Sequence, residues 1–263
     1  MLMDKQAQQL LDIARQAGRA ILKVYHQDFD VAHKDDSSPL TAADLASHRV
    51  IVQRLGEIDP TIPMLSEEGA DIPFSVRQQW DRYWLIDPLD GTREFVKRNG
   101  EFTVNIALIE HGCPVVGVVH VPVSGVSYVG QVGRGAWKVD ADDQPVPIQV
   151  NTRRAPTVRV AGSRSHAGDS LQRFLQQLGP HEIVSMGSSL KLCLVAEGTA
   201  DVYPRLGPTS EWDTAAAQAV VEAAGGRVTD TQLMPLRYNT KDSLLNPHFL
   251  VFGDRTENWE RYL

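Results

Sequence analysis

The chain reads Tyr83-Trp84-Leu85-Ile86-Asp87-Pro88-Leu89-Asp90-Gly91-Thr92 at the point that decides its fold and its chemistry. The apolar residues 83–86 predict a buried strand, and two carboxylates follow that strand directly. Pro88 and Leu89 predict a turn that brings the carboxyl groups of Asp87 and Asp90 together at the strand end. Converging carboxylates, with the Leu89 carbonyl as a further ligand, are typical of a site for a hard cation such as Mg²⁺.

The residues that follow Asp90 suit a phosphate group. Gly91 lets the backbone approach a phosphate closely, and the amides of Gly91 and Thr92 can donate hydrogen bonds to it, as can the Thr92 hydroxyl. Asp-Pro and Asp-Gly are also ordinary turn formers, so either dipeptide alone would indicate only a turn. The complete hexapeptide 87–92 favours a functional site over a simple turn.

Composition describes an ordinary globular chain. Its 263 residues are 42% hydrophobic, which is enough for a substantial core in one large domain or two closely packed halves. With 26 basic and 33 acidic residues the net charge is -7, so nothing attracts the chain to nucleic-acid polymers or to anionic lipid. Cys113 and Cys193 have no metal-ligand or redox spacing, and no apolar run is long enough to span a bilayer. We expect a cytoplasmic protein, with peripheral association at the cytoplasmic face of the inner membrane left open.

Hydrophobic periodicity predicts the other elements of structure. Helices are expected over residues 5–25, 41–55, 169–178, 189–197 and 211–224. Strands are expected over residues 103–109, 115–121, 126–130, 158–161, 201–203, 227–229 and 250–252. We expect a single unit over residues 1–263, with an N-terminal α+β half over 1–150 that carries most metal ligands. The C-terminal α/β half over 151–263 would carry Asp213 and the substrate-binding residues.

Three further carboxylates are candidates for the same site. Glu67 follows the short apolar pair 64–65 and would face the cleft from a strand end, although adjacent glutamates are usually a solvated surface. Asp213 has capping-box spacing to Ser210, and Asp44 has the same spacing to Thr41. Capping and catalysis are therefore equally good explanations of either aspartate by itself.

The joint occurrence of these carboxylates resembles a known family. The blocks are Asp35-Asp36-Ser37-Ser38-Pro39-Leu40-Thr41-Ala42-Ala43-Asp44, Ser66-Glu67-Glu68, Asp87-Pro88-Leu89-Asp90-Gly91-Thr92 and Trp212-Asp213-Thr214-Ala215-Ala216. Their order and spacing resemble the inositol monophosphatase superfamily over nearly the whole chain. Within it, three segments resemble the bacterial 3'(2'),5'-bisphosphate nucleotidases of the CysQ type. These segments are residues 84–87, 97–105 and 187–191.

The resemblance implies an α/β fold, a layered αβαβα sandwich of the inositol monophosphatase and sugar phosphatase type. It implies a phosphatase that uses two or three Mg²⁺ ions and is inhibited by Li⁺. It further implies that Glu67, Asp87 and the Leu89 carbonyl hold one metal ion. Asp87, Asp90 and Asp213 would hold the second, so that Asp87 bridges the two ions.

Catalytic and substrate-binding residues follow from the same resemblance. Thr92 with Asp44 would orient the attacking water, and Glu67 would contribute to removing its proton. The expected substrate-binding residues are Asp90, Gly91, Thr92, Arg93, Ser188, Lys191, Arg205 and Asp213. Ser188, Lys191 and Arg205 resemble the positions that bind a second phosphate, although Lys191 and Arg205 could instead be surface charges.

Other sequence features bear on the substrate and on alternatives to it. Glu211 and Ala217 depart from the family pattern, and we expect them to alter the substrate rim. Residues 163–166 contain a Ser/His pair, which we interpret as a substrate-binding loop because no orienting acid for a triad is identifiable.

The resemblance favours hydrolysis of a small bisphosphate nucleotide, 3'-phosphoadenosine 5'-phosphate, to AMP and phosphate in support of sulfate assimilation. An inositol or other small sugar-phosphate phosphatase is the alternative, because the metal site would serve either substrate. A catalytically silent nucleotide or metal sensor is an alternative of another class. The intact carboxylates argue against the sensor. A homodimer is left open.

Overall fold

The computed structural model describes residues 3–27, 39–153, 155–162 and 169–263. Its helices are α1 (Lys5–Tyr25), α2 (Pro39–Ile58), α3 (Phe74–Arg77), α4 (Thr92–Val96), α5 (Asp169–Leu178), α6 (Leu190–Ala196) and α7 (Glu211–Ala223). Short 3-10 helices cover Glu67–Gly69 and Trp259–Tyr262.

Two sheets are formed from successive parts of the chain. The first has seven strands in the order of the chain: β1 (Met64–Ser66), β2 (Arg82–Asp90), β3 (Thr103–Glu110), β4 (Cys113–His120), β5 (Ser127–Gln131), β6 (Gly135–Val139) and β7 (Pro145–Ile148). β1 runs parallel to β2, and the other neighbours are antiparallel. The second sheet contains β8 (Val158–Gly162), β9 (His181–Ser185), β10 (Val202–Arg205), β11 (Arg227–Asp230) and β12 (Phe249–Phe252), in the order β11-β12-β10-β8-β9.

Five layers result from the packing of helices on these sheets. On β2, Trp84 and Ile86 are buried with the apolar faces of α1 and α2, whereas Tyr83 and Leu85 are buried with α6 and α7. This alternation is the period of two that a strand buried on both faces requires. The second sheet covers the other side of α6 and α7, and α5 with the C-terminal 3-10 helix packs on its outer face. The predicted αβαβα sandwich is confirmed.

Two glycines allow α7 to lie directly against the first sheet. A Cβ atom on Gly117 of β4 would lie 2.2 Å from the carbonyl oxygen of Ala216 on α7. A Cβ atom on Gly130 of β5 would lie 2.3 Å from the Cα atom of Val220. Because real side chains cannot occupy these positions, glycine and the alanine-rich face of α7 set the height of the helix above the sheet. They thereby also set the position of Asp213 in its first turn.

Several predicted elements differ from the observed ones. The helix predicted from residue 41 begins at Pro39, a residue suited to a first helical position because the missing N–H would have no partner there. Thr41 therefore lies inside α2, so the Thr41–Asp44 capping interpretation is wrong. Strands β6, β7 and β9 were not predicted, and β7 and β9 are edge strands in which no residue is fully buried. Within the described ranges, no helix is long and apolar enough to cross a membrane.

Candidate metal and phosphate site

Three aspartates converge at one end of the first sheet. Asp87 and Asp90 lie on β2, and Asp213 lies in the first turn of α7. One carboxylate oxygen of each lies within 4.8 Å of one such oxygen of the other two. We call these three residues the aspartate cluster.

A bulge in β2, not a turn, brings Asp87 and Asp90 together. Asp87 pairs with Asn105 of β3, and Asp90 pairs with Thr103, so three steps along β2 match two along β3. Residues three apart on a regular strand point to opposite faces, and one extra residue restores a common face. The predicted turn at Pro88-Leu89 is therefore wrong in its geometry, although the convergence that it was meant to explain is observed.

Asp213 combines capping with a place in the cluster. The backbone N–H of Ser210 donates to Asp213 Oδ2 over 2.9 Å, which satisfies a donor at the start of α7. The two interpretations of this aspartate are therefore compatible, because a carboxylate has a second oxygen.

The aspartate cluster has the electrostatics of a cation site. Asp87 Oδ1 accepts the backbone N–H of Leu89 over 3.1 Å, whereas Asp87 Oδ2 is buried without a hydrogen-bond partner in the described structure. Burial raises the pKa of Asp87 well above its usual range, and the charges of Asp90 and Glu67 raise it further. Burial, followed by the charge of Asp90, raises the pKa of Asp213 to about 7. Buried like charges with an unpartnered acceptor oxygen fit a divalent cation, which supplies the missing positive charge.

Glu67 reaches the same cavity from the next strand. It follows β1 directly, as the predicted strand end requires, and begins a 3-10 helix. Burial raises its pKa, with contributions from the neighbouring charges of Asp90 and Glu68.

Asp44 lies on α2 behind Glu67 and Glu68. Its Oδ1 is buried and has no hydrogen-bond partner among the residues that the structure describes, and burial with the charges of Glu68 and Glu67 raises its pKa to about 8. Thr92 begins α4 and lines the cavity. Asp44 does not line the cavity, as far as the described residues go, and the expected pairing of Asp44 with Thr92 stays a prediction.

One face of α2 forms hydrogen bonds to the ends of β1 and β2, the two strands beside the acidic residues. Ser47 donates from its buried hydroxyl to the Pro88 carbonyl over 2.7 Å, and so fastens the bulge of β2. His48 Nδ1 lies 2.9 Å from Ser66 Oγ at the end of β1. Sequence reasoning missed Ser47 and His48, although their spacing of three and four residues from Asp44 places all three on one helical face.

A cavity of about 670 Å³ opens beside the aspartate cluster and contains every predicted substrate-binding residue. These residues are Asp90, Gly91, Thr92, Arg93, Ser188, Lys191, Arg205 and Asp213. Gly91 has φ 98°, and a Cβ atom there would lie 3.2 Å from Phe102 Cα, so glycine is required at this turn. The aromatic and aliphatic side chains of Leu192, Tyr203, Leu206 and Phe249 form an apolar wall.

Lys191 is a cavity residue and not a surface charge. Its side chain is buried, and its ammonium donates to the Ser188 carbonyl over 2.6 Å and to the Met186 carbonyl over 3.3 Å. The ammonium also lies 5.7 Å from the centre of the Tyr203 ring, within the range of a cation–π contact. Burial lowers the pKa of Lys191, and the nearby charge of Asp90 opposes that effect.

Arg205 supplies a second cation to the cavity that Lys191 lines. Its Nη2 donates to the Pro208 carbonyl over 2.8 Å, and its buried Nε has no hydrogen-bond partner among the described residues. Ser188, by contrast, directs its hydroxyl to Asp90 Oδ2 over 2.6 Å and has φ 52°, an uncommon conformation for serine.

The expected effect of Glu211 on the substrate rim is wrong. Glu211 does not line the cavity, and its buried carboxylate accepts the backbone N–H of Asn239 over 2.8 Å. Ala217 is buried and does not line the cavity either. The predicted loop at residues 163–166 and the motif residues 35–38 lie outside the described residues.

Comparison with known proteins finds a family model and several relatives that match nearly the whole chain. A family model described as the inositol monophosphatase family matches residues 3–258. The 3'(2'),5'-bisphosphate nucleotidase CysQ of Shigella flexneri is 55% identical over 246 residues, which cover 92% of this chain and 98% of the relative. CysQ of Haemophilus influenzae is 37% identical over 252 residues, 95% of this chain and 94% of the relative.

Solved structures agree with the sequence relatives. CysQ from Bacteroides thetaiotaomicron, a bacterial member of the inositol monophosphatase family, superimposes with a TM-score of 0.86 at 42% identity. The match covers 95% of this chain and 97% of that one. An inositol monophosphatase from Anabaena superimposes with a TM-score of 0.76 at 26% identity, over 98% and 96% of the two chains.

Proposed function

This chain belongs to the inositol monophosphatase family, and we propose that it is a Mg²⁺-dependent 3'(2'),5'-bisphosphate nucleotidase that converts 3'-phosphoadenosine 5'-phosphate to AMP and phosphate. The relatives at 55% identity carry that activity in their name. The observation that carries the proposal is the placement of the aspartate cluster and two cations, Lys191 and Arg205, on one cavity. A substrate with two phosphates matches this site, because metal ions at the aspartate cluster would hold one phosphate and the two cations would hold the other.

The residues at the site fit the metal that the family uses. Glu67, Asp87 and the Leu89 carbonyl would hold one Mg²⁺, and the aspartate cluster would hold a second. Carboxylate and carbonyl oxygens are the ligands that Mg²⁺ prefers, and Asp87 Oδ2 is an acceptor with no other partner in the described structure. When bound there, Mg²⁺ lowers the pKa of a water ligand and neutralises the charge that develops on the phosphoryl group and the leaving oxygen.

The chain's own residues orient the substrate and accept a proton. Gly91 and Thr92 line the cavity at the start of α4, and their amides would donate to the transferred phosphate. Glu67, whose pKa is raised by burial, would accept the proton of the attacking water, with Thr92 and Asp44 orienting that water. The new P–O bond forms as the bond to the 3'-oxygen breaks. The electron pair of the broken bond stays on the 3'-oxygen, which takes up a proton.

The cation pair favours a bisphosphate over a monophosphate. A substrate with a single phosphate at the metals would leave Lys191 and the Nε of Arg205 without an anionic partner. Inositol phosphate hydrolysis therefore ranks second, and a silent sensor is disfavoured because all proposed metal-binding side chains are present. We also propose inhibition by Li⁺, a cytoplasmic location and a role in sulfate assimilation. Peripheral membrane association and a homodimer stay predictions.

Product analysis tests the proposed function. Chromatography of a reaction with 3'-phosphoadenosine 5'-phosphate and Mg²⁺ should show AMP and phosphate in equal amounts. Lys191→Met should lower kcat/KM for the nucleotide by about 10- to 100-fold, the usual cost of a lost charge-assisted hydrogen bond. Lys23→Met, at an exposed position on α1, is the matched control and should change nothing. Release of the 5'-phosphate, or no release, would contradict the proposal.

A further inference from the structure

A row of hydroxyl groups leads from the buried side of the first sheet, through the partly buried Ser188, to Asp90. Ser188 Oγ lies 2.6 Å from Asp90 Oδ2, and Thr103 Oγ1 lies 2.7 Å from Ser188 Oγ. Thr103 Oγ1 also lies 3.0 Å from Ser189 Oγ, which lies 3.0 Å from Asn105 Oδ1. Thr103, Ser189 and Asn105 are almost completely buried, at 0%, 3% and 1% exposure, so water cannot replace a missing partner.

Counting protons determines the direction of every hydrogen bond in this row. An ionised carboxylate only accepts, so Ser188 must give its one hydroxyl proton to Asp90. Thr103 must then donate to Ser188, and Ser189 must donate to Thr103, because each hydroxyl has a single proton. The last contact, between Ser189 and Asn105, therefore has no serine proton left to form it.

Only the amide nitrogen of Asn105 can complete the row. The Nδ2 atom of Asn105 is buried without a hydrogen-bond partner in the described part of the chain, whereas its Oδ1 lies 3.0 Å from Ser189 Oγ. The two ends of a side-chain amide are assigned from their hydrogen bonds, and a half-turn about the last side-chain torsion exchanges them. After that exchange Nδ2 donates to Ser189. The unpartnered atom is then a carbonyl oxygen, which proteins tolerate more often than an orphaned N–H.

We propose that Asn105, Ser189 and Thr103 are positioning residues that form a one-directional hydrogen-bond chain, Asn105 to Ser189 to Thr103 to Ser188, ending on Asp90 Oδ2. The chain, together with the backbone N–H of Ser189 at 2.6 Å, holds Oδ2 and leaves the other oxygen of Asp90 free to bind a cation. This inference rests on the metal binding in the proposed function.

The sheet supports this arrangement. Thr103 and Asn105 are two residues apart on β3, so their side chains share a face. Their partners across the ladder are the aspartates on either side of the bulge, Asp90 and Asp87. β2 thus carries Asp87 and Asp90, and β3 carries the residue at which the hydrogen-bond chain to Asp90 begins.

Magnesium binding in the absence of substrate tests the proposal. Isothermal titration of the metal-free full chain with Mg²⁺ should show about tenfold weaker binding for Thr103→Val, the usual order for a lost partner of a metal ligand. Thr103→Ser keeps the hydroxyl and should restore wild-type affinity. Thr229→Val is the matched control. It removes a buried threonine hydroxyl on β11 of the second sheet for which the described residues supply no hydrogen-bond partner, and it should leave Mg²⁺ affinity unchanged.

Neutron diffraction of deuterated crystals tests the direction of the chain independently of any variant. The expected result is two deuterons on the Asn105 atom that faces Ser189. An amide oxygen at that place would overturn the proposal. Wild-type Mg²⁺ affinity in Thr103→Val, with binding intact in the wild type, would overturn this proposal alone. Absence of Mg²⁺ binding in the wild type would overturn both this proposal and the proposed metal site.

Discussion

Ser189 donates its backbone N–H to Asp90 Oδ2 over 2.6 Å, although 99 residues separate the two in the chain. Asp90 ends a strand of the first sheet, and Ser189 precedes α6 between the sheets. The contact joins the acidic end of the cavity to the segment that carries Lys191. The geometry of the site therefore depends on the packing of segments that are far apart in the chain.

Replacing Asp90 by asparagine should remove one negative ligand while keeping the side-chain shape. We expect kcat in Mg²⁺ to fall by more than about 100-fold, since outer partners of metal ligands alone account for 10- to 100-fold effects. The thermal midpoint of the metal-free protein should not fall, because one of several repelling charges is lost. Phosphate release over a Mg²⁺ titration and a thermal melt measure the two effects. Wild-type turnover at limiting Mg²⁺ would contradict the assignment of Asp90 as a ligand.

The stability of the metal-free protein should fall as pH rises from about 4 to about 8. Burial raises the pKa of Asp213 to about 7 and that of Asp44 to about 8, from the usual value near 3.8. Between the usual value and the raised values the folded state still binds protons that the unfolded state has released. Stability therefore falls with pH over that range and levels off above about pH 8.

Magnesium should reverse that trend, because it binds the ionised carboxylates and binding competes with protons. Thermal melts at pH 6.5 and 8.5 should show a larger upward shift by Mg²⁺ at pH 8.5. Asp213→Asn should flatten the pH dependence of the metal-free protein. Equal Mg²⁺ shifts at both pH values would show that the carboxylates are already ionised in the metal-free protein.

A second pH effect, of opposite sign, should arise at His120. Burial, with help from the charges of Arg15 and Arg19, lowers the pKa of His120 from 6.5 to about 4. The stabilisation is complete above pH 6.5 and is lost as pH falls toward 4, by up to about 3 kcal/mol. His120 Nδ1 lies 2.8 Å from Ser127 Oγ, so His120→Asn keeps a hydrogen-bonding group near that hydroxyl.

Denaturant unfolding between pH 4 and 6.5 measures the effect. The cavity left by asparagine costs stability equally at each pH, so the slope with pH is the informative quantity. We expect the stability advantage of the wild type over His120→Asn to grow as pH rises from 4 to 6.5. An unchanged slope would mean that His120 does not titrate differently in the folded and unfolded states.

Local pattern predicted much of this fold and failed where packing decides. The helices α1 and α5 have the predicted bounds because their amphipathic periods are strong. Strand β9 was missed because it lies at a sheet edge and carries a polar start at His181-Glu182, without the alternation of a half-buried strand. The bulge in β2 was mistaken for a turn, because Asp-Pro and Asp-Gly favour turns and the pairing with β3 is a long-range property.

The candidate site shows the same division. Every substrate-binding residue that the family motifs predicted lines the cavity. The motifs did not indicate that Lys191 is buried, because its contacts with Tyr203 and the Met186 carbonyl come from other segments. The hydrogen-bond chain through Thr103 and Asn105 has a signal in the sequence that sequence reasoning missed. Two polar residues with a spacing of two stand at the start of a strand that is apolar over residues 106–109, and a buried polar residue needs a partner.

Relative kcat/KM for three substrates tests the central claim most directly. The purified protein with Mg²⁺ is compared on 3'-phosphoadenosine 5'-phosphate, inositol 1-phosphate and fructose 1,6-bisphosphate, with and without Li⁺. The account predicts a strong preference for the nucleotide and loss of activity in Li⁺. Preference for inositol 1-phosphate or the sugar bisphosphate would contradict the assigned substrate.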